Sequence, residues 1–239
     1  YKVSLVDVAN SKLWIRYITP AANQRLPTKC VNDYVNFNRF ITSANGTVAD
    51  NLTASVASAN LQLSVIPDML IMGVRKKITS QNTFDSTSWL PVEGVSIQWD
   101  NSSGLLSSLD ARSLWQYSSE TTNQTYNEYR GYSAARSDKS AATADALKRV
   151  NMSGSLLALK FGSHIQLPNI WSAAGALGTY QLQVNITVKN NTGASLDLST
   201  YEFVIITMQS GLVVSSMGVS ASYVGLLDKE SVMSVSDES

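Results

Sequence analysis

A chain of 239 residues is long enough for one large β-sandwich or two small domains, and it can bury roughly 70% of its unfolded surface without disulfide or metal staples. Its 18 basic and 18 acidic side chains cancel to a net charge of zero, which excludes nucleic-acid binding by bulk charge neutralisation, a mode that needs clustered Lys and Arg. One cysteine and one histidine exclude an internal disulfide and a Cys/His zinc site.

Charged residues make up only 15% of the chain, against ~25% in ordinary soluble domains, and Ser, Thr, Asn and Gln fill the difference. Such a surface suits extensive protein–protein contact, where charge is depleted at interface centres. Cys30 reads as a small buried hydrophobe. No apolar run approaches the ~18 residues of a membrane-spanning helix. The first residue is Tyr1 rather than Met, which reads as a trimmed or partial product. The Asn-x-Ser/Thr triplets at Asn45, Asn51, Asn101, Asn123, Asn151, Asn185 and Asn190 are expected by chance in so amide-rich a chain.

Residues 1–18 hold two strand-like pieces, Val3–Val8 and Lys12–Ile18, followed by a linker with Pro20 and Pro27. From Val31 a new series begins, with extended segments expected at 34–42, 52–65, 69–77 and 94–100. The run 69–77 (MLIMGVRKK) reads as a buried strand with charged ends, and 82–91 as a loop. In 94–100, Val95, Ile97 and Trp99 alternate with Ser96, Gln98 and Asp100, a strand with one dry face. Asn101–Gly104 is a turn, and Ser107 or Ser108 can cap a short helix through about Tyr117. Residues 118–153 are polar and long for a connection, and long loops carry function or contacts. Further strands fall at about 128–133, 155–162, 179–190 and 201–215. The clearest is 179–190, where Tyr180, Leu182, Val184, Ile186 and Val188 alternate without error against Gln181, Gln183, Asn185, Thr187 and Lys189. Eight strands of uneven length, with one short helix and a long polar loop, predict an all-β fold: an eight-stranded antiparallel jelly-roll sandwich rather than a seven-stranded immunoglobulin one.

No catalytic constellation accompanies these strands. His164 has no GxSxG elbow near it and reads as a structural residue at a strand end. There is no P-loop and no GxGxxG. Asp7, Asp33, Asp50, Asp68, Asp85, Asp100 and Asp110 are isolated, without calcium-loop spacing. Arg75-Lys76-Lys77 reads as a solvated strand end. Trp89, Trp99, Trp115 and Trp171 are a conceivable sugar-stacking platform, but Trp99 alternates onto the apolar side and packing accounts for the rest. No catalytic, cofactor-binding or metal residue is nominated. A single-jelly-roll penton or a glycan- or receptor-binding sandwich is the alternative function class.

The segments IPDMLIMGVRKK (66–77), VSIQWDNSSGLLSSLDARSLW (95–115), GSLLALKFGSHIQLP (154–168), LGTYQLQVNITVKNNT (177–192) and YVGLLDKESV (223–232) occur in an order that resembles the second jelly roll of double-jelly-roll major capsid proteins of the Polinton, adintovirus and virophage group. The resemblance spans about residues 31–235 and rests on the order of segments, not on one diagnostic motif. It implies a non-enzymatic structural protein of the virion that homotrimerises into pseudo-hexameric capsomers of an icosahedral shell and meets neighbouring capsomers, penton and minor capsid proteins. It implies no cofactor and no sequence-specific nucleic-acid contact. Members of the group are about twice this length, so residues 1–29 are expected to be the terminal strands of a preceding jelly roll plus linker, and 30–239 the C-terminal jelly roll.

Overall fold

The structure of the chain, a computed structural model, describes residues 12–17, 19, 29–81, 89–136, 147–151, 153–167, 174–192, 194–216 and 219–224. In chain order it contains strands β1 (Lys29–Ser43), β2 (Thr47–Val48), β3 (Thr53–Ala57), β4 (Leu61–Val65), β5 (Met69–Lys76), β6 (Val92–Trp99) and β7 (Ser102–Leu105). Helices α1 (Ala111–Thr122) and α2 (Tyr126–Tyr129) follow. The remaining strands are β8 (Tyr132–Arg136), β9 (Leu147–Asn151), β10 (Leu157–Lys160), β11 (Leu177–Lys189), β12 (Leu196–Asp197), β13 (Tyr201–Ser216) and β14 (Val219–Val224).

Two five-stranded antiparallel sheets form the body, one ordered β1-β13-β5-β10 with β14 also on β13, the other β3-β11-β6-β7 with β4 also on β11. β3 and β4 follow one another along the same side of β11 and fill one position. Numbering the positions along the chain then gives sheet orders 1-8-3-6 and 2-7-4-5. Successive strands cross between the sheets except at the β6–β7 hairpin, which is the jelly roll that the strand pattern predicts.

β11 shows how the sequence produces this. Leu182, Val184, Ile186 and Val188 are fully buried, while Gln181, Gln183 and Asn185 are exposed, so the period of two sets the register against β6, with Val184 opposite Ile97 and Ile186 opposite Val95. The facing sheet contributes Leu70, Met72, Val74, Leu157, Leu159, Phe203 and Ile205 to the same core. Trp99 stacks between Phe161 and Tyr180, with centroids 5.1 and 5.2 Å away, and ties the two sheets together at one end. Gly154 is dictated by a close approach: its φ is +74°, and a Cβ there would lie 1.8 Å from the Trp89 carbonyl oxygen.

Several expectations are corrected. The fifth jelly-roll strand is Ser102–Leu105, placed in a turn by the sequence, because this short edge strand lacks alternation and contains Gly104 at φ +76°. Residues 128–133 are instead the end of α2 and the start of β8. The 52–65 segment breaks into two strands at Ser58–Asn60. The helix starts two or three residues later than expected, capped by Asp110, whose side chain accepts from Ser113 N–H, and runs to Thr122, where Asn123 adopts a left-handed conformation. The expected loop 118–153 is therefore packed structure over much of its described length, with a Thr125–Glu128 capping box, a buried Tyr129 and the β8–β9 hairpin. The expected strand at Lys12–Ile18 is not found: residues 12–17 form no regular element and pair with nothing among the described residues; Val3–Val8 lies outside them. β14, absent from the expected strands, extends the first sheet.

Candidate assembly surface

The residues weighed for chemistry are engaged in holding the fold. His164 is 7% exposed, stacks on Tyr117 at 4.8 Å, accepts from Lys160 N–H through Nδ1 and lies 3.7 Å from Glu120. The Arg75 side chain pairs with Glu202 at 2.8 Å and lies over Trp89, and Lys77 donates to the Ser199 carbonyl, so this triplet is half-buried and paired rather than solvated. Trp99 is core, and the Trp115 indole donates to the Gln124 carbonyl; Trp171 lies outside the described residues. Asp68 accepts from the N–H and hydroxyl of Ser210, and Asp100 from Gln181 N–H. Asp7 and Asp85 lie outside the described residues, and among those described no three His, Cys, Asp or Glu side chains gather as a metal site. Cys30, on the edge strand β1, is exposed, not buried. No described helix is long and apolar enough to cross a membrane.

The feature that the fold leaves unsatisfied is the outer face of the first sheet. On β1 the half-buried residues are Tyr34, Asn36, Phe40 and Thr42, so the odd-numbered Val31, Val35, Phe37 and Ile41 point away from the core, 44–57% exposed. Cross-strand partners share a face. Phe37 stands opposite Met208, and Met208 opposite Met69; Ile206 stands opposite Arg39 and Ile71. Farther along, Val31 meets Val214, Val214 meets Ala221, and Leu212 meets Tyr223. The result is a face with apolar side chains on four strands, interrupted by Asp33, Arg39 and Ser210, whose large exposed hydrophobes lie on β1 and β14.

At its far side, α1 rises above the sheet and leaves an open groove of about 580 Å³ lined by Asp68, Met69, Glu120, Thr121, Lys160 and Met208. The helix is fixed there by Ser118, whose hydroxyl donates to the Leu156 carbonyl and accepts from Ala158 N–H. Asp110 at its start is held below the usual carboxylate range by hydrogen bonds from Ser113.

The outer face of the second sheet is different. Gln183 stands opposite Gln98 and Asn185 opposite Ser96, with the Ser55 hydroxyl donating to Asn185. Its shallow depression, about 200 Å³, is lined by small and amide side chains and no aromatic ring. Sequence reasoning found the amide-rich face through β11 but missed the apolar one. The alternation in β1 was its signal, with Val31, Val35, Phe37 and Ile41 on one parity.

Residues 37–211 match the family described as the major capsid protein V20 C-terminal domain. The putative capsid protein V20 of Sputnik virophage is 24% identical over 235 residues, which is 95% of this chain and 38% of that protein. The fold recurs in the cryo-EM structure of the Sputnik virophage, with TM-score 0.76 and 24% identity, over 90% of this chain and 43% of that one. It recurs also in the crystal structure of the mavirus major capsid protein, with TM-score 0.71 and 16% identity, over 91% of this chain and 46% of that one. The chain thus spans less than half the length of each of these relatives. The resemblance carried by the order of segments and the topology of the two sheets therefore agree with the match across most of the sequence: this chain belongs to the major capsid protein V20 C-terminal domain family.

Proposed function

We propose that the chain is a structural unit of a viral shell, located in the virion, that self-associates as homotrimers forming pseudo-hexameric capsomers and tiles an icosahedral capsid with neighbouring capsomers, penton and minor capsid proteins. The observation that carries this reading is the apolar outer face of the first sheet, exposed on a member of a capsid-protein family. In this reading residues 30–239 are the C-terminal jelly roll and 1–29 the end of a preceding one plus linker. The domain does no catalysis; its work is to resist deformation while its flanks bind copies. A trimer built this way buries more than the standard ~1,600 Å² per interface, as obligate assemblies do.

Light scattering and negative-stain microscopy of the purified chain test the proposal. Trimers or closed shells are expected. A chain that stays a 25.9 kDa monomer at every concentration overturns it.

A further inference from the structure

One side of β13 is taken by β1 from Glu202 to Ser216, so β5 and β14 share the other side. They run in line. β14 ends at Val224 opposite Gly211, and β5 begins at Met69 opposite Met208. Asp68 closes the interval between them: its N–H donates to the Met208 carbonyl, and its carboxylate accepts from the N–H and hydroxyl of Ser210. That N–H is the donor a residue after Val224 would take, so no ladder continues beyond β14. On the core side the way is shut by Thr207 and Gln209, both buried. On the outer side lies the groove beneath α1.

Met208, Met69 and Lys160 are neighbours in register across β13, β5 and β10 and line the sheet side of this groove of about 580 Å³. Asp68 lines the end nearest Val224, and Glu120 and Thr121 line the helix side. Thioether side chains adapt readily to an apolar occupant. Lys160 is exposed and forms no ion pair among the described residues, and Glu120 is exposed as well. Residues 225–239 follow Val224 and lie outside the described residues. Their sequence opens GLLDKE: Gly225 permits a sharp exit, Leu226 and Leu227 are apolar, and Asp228 and Lys229 carry charges opposite to those of Lys160 and Glu120. Gly211 and Met208 are about 10 Å apart along an extended strand, a span that two or three residues cover.

We infer that residues 225–230 turn off β14 at Asp68 and lie in this groove of the same chain. Leu226 and Leu227 cover Met208 and Met69, Asp228 meets Lys160, and Lys229 meets Glu120. The segment thereby straps α1 to β5 and β13 within one subunit, whatever the mode of assembly.

The test uses the full chain carrying Cys30→Ser, which removes the one native thiol. Thr121→Cys is combined with Glu230→Cys, and disulfide formation is followed by non-reducing electrophoresis and mass spectrometry. The control combines Gln98→Cys, exposed on the outer face of the second sheet, with Glu230→Cys. An intrachain disulfide is expected at least tenfold faster in the first pair than in the control. Adding Leu226→Asp/Leu227→Asp is expected to slow it at least tenfold. Should circular dichroism show that variant to be unfolded, Lys160→Glu, at an exposed position, replaces it. Lys160→Glu is expected to slow the reaction severalfold, and Asp228→Lys to restore it. A rate equal to the control overturns the inference. So does a disulfide that joins two chains, which would place the segment on a second copy. A fast reaction indifferent to these substitutions overturns it too.

Discussion

The hydroxyl of Ser118 on α1 reaches the backbone of β10, donating to Leu156 at 2.8 Å and accepting from the N–H of Ala158 at 3.0 Å. Ser118 and Ala158 are both buried, so no solvent replaces these bonds. Ser118→Ala leaves the Ala158 N–H and the Leu156 carbonyl short of a partner. The expected loss is about 1–3 kcal/mol by chemical denaturation, from the cost of an unsatisfied buried group. The same contact bears on deletion of 118–150. It removes Ser118, Tyr129 and the Gln124 amide that donates to the Gly154 carbonyl, so the domain is expected to lose its cooperative unfolding rather than merely its outer contacts. A cooperative melt near the wild-type temperature would show that the connection is dispensable.

Val184 and Ile186 on β11 are fully buried against the facing sheet. Truncating either to Ala is expected to cost roughly 2–4 kcal/mol in denaturant unfolding, the transfer and cavity terms of a core deletion. Asn185→Ala between them, on the exposed face, is expected to change stability by less than about 0.5 kcal/mol. Equal effects at the three positions would mean that the outward face of β11 is covered as well.

That contrast also explains which parts of the fold are legible in the sequence. β11 and β6 announce themselves because one face meets the core and the other meets water, so polarity follows the pleat. β1 does not: Val31, Val35, Phe37 and Ile41 alternate with Asn32, Tyr34, Asn36 and Asn38, yet the apolar set points outward. A period of two says that a strand has two unlike faces, and says nothing of which one is inside when the other awaits a partner. β7 escapes because Ser102–Leu105 is short, carries one large apolar side chain and takes its place from pairing with β6. The Thr125–Glu128 box, by contrast, was readable from its spacing. The assembly surface needed the cross-strand register, which brings together residues more than 160 positions apart, such as Phe37 and Met208.

Three carboxylates cap local structure: Asp110 through hydrogen bonds from Ser113, Glu128 through the backbone and then the hydroxyl of Thr125, and Asp197 through the backbone and then the side chain of Ser199. Each is held below its ordinary value, so each contributes stability above the unfolded pKa of about 4 and loses it as pH falls through the lower folded value. The chain carrying Asp110→Asn, Glu128→Gln and Asp197→Asn keeps acceptors at all three places but cannot titrate there. Its melting temperature is expected to fall less than that of the wild type between pH 5 and pH 3 at matched ionic strength. Parallel melting curves in calorimetry would show that the caps do not discriminate between charged and neutral acceptors.

Tyr129 is fully buried, and its hydroxyl finds no hydrogen-bond partner among the described residues. The nearby Ser155 hydroxyl donates to the Tyr129 carbonyl and accepts from Val92 N–H, so its own proton is already used. Burial accordingly pushes the phenol well above its usual range. Removing the oxygen removes an uncompensated polar atom while keeping the ring. Tyr129→Phe is therefore expected to match the wild type or exceed it by up to about 1 kcal/mol, whereas Tyr129→Ala should lose about 3–5 kcal/mol. Thr207, buried with an unpartnered hydroxyl on β13, offers the same comparison through Thr207→Val. A Tyr129→Phe chain destabilised by 2 kcal/mol or so would place a bound water on that hydroxyl.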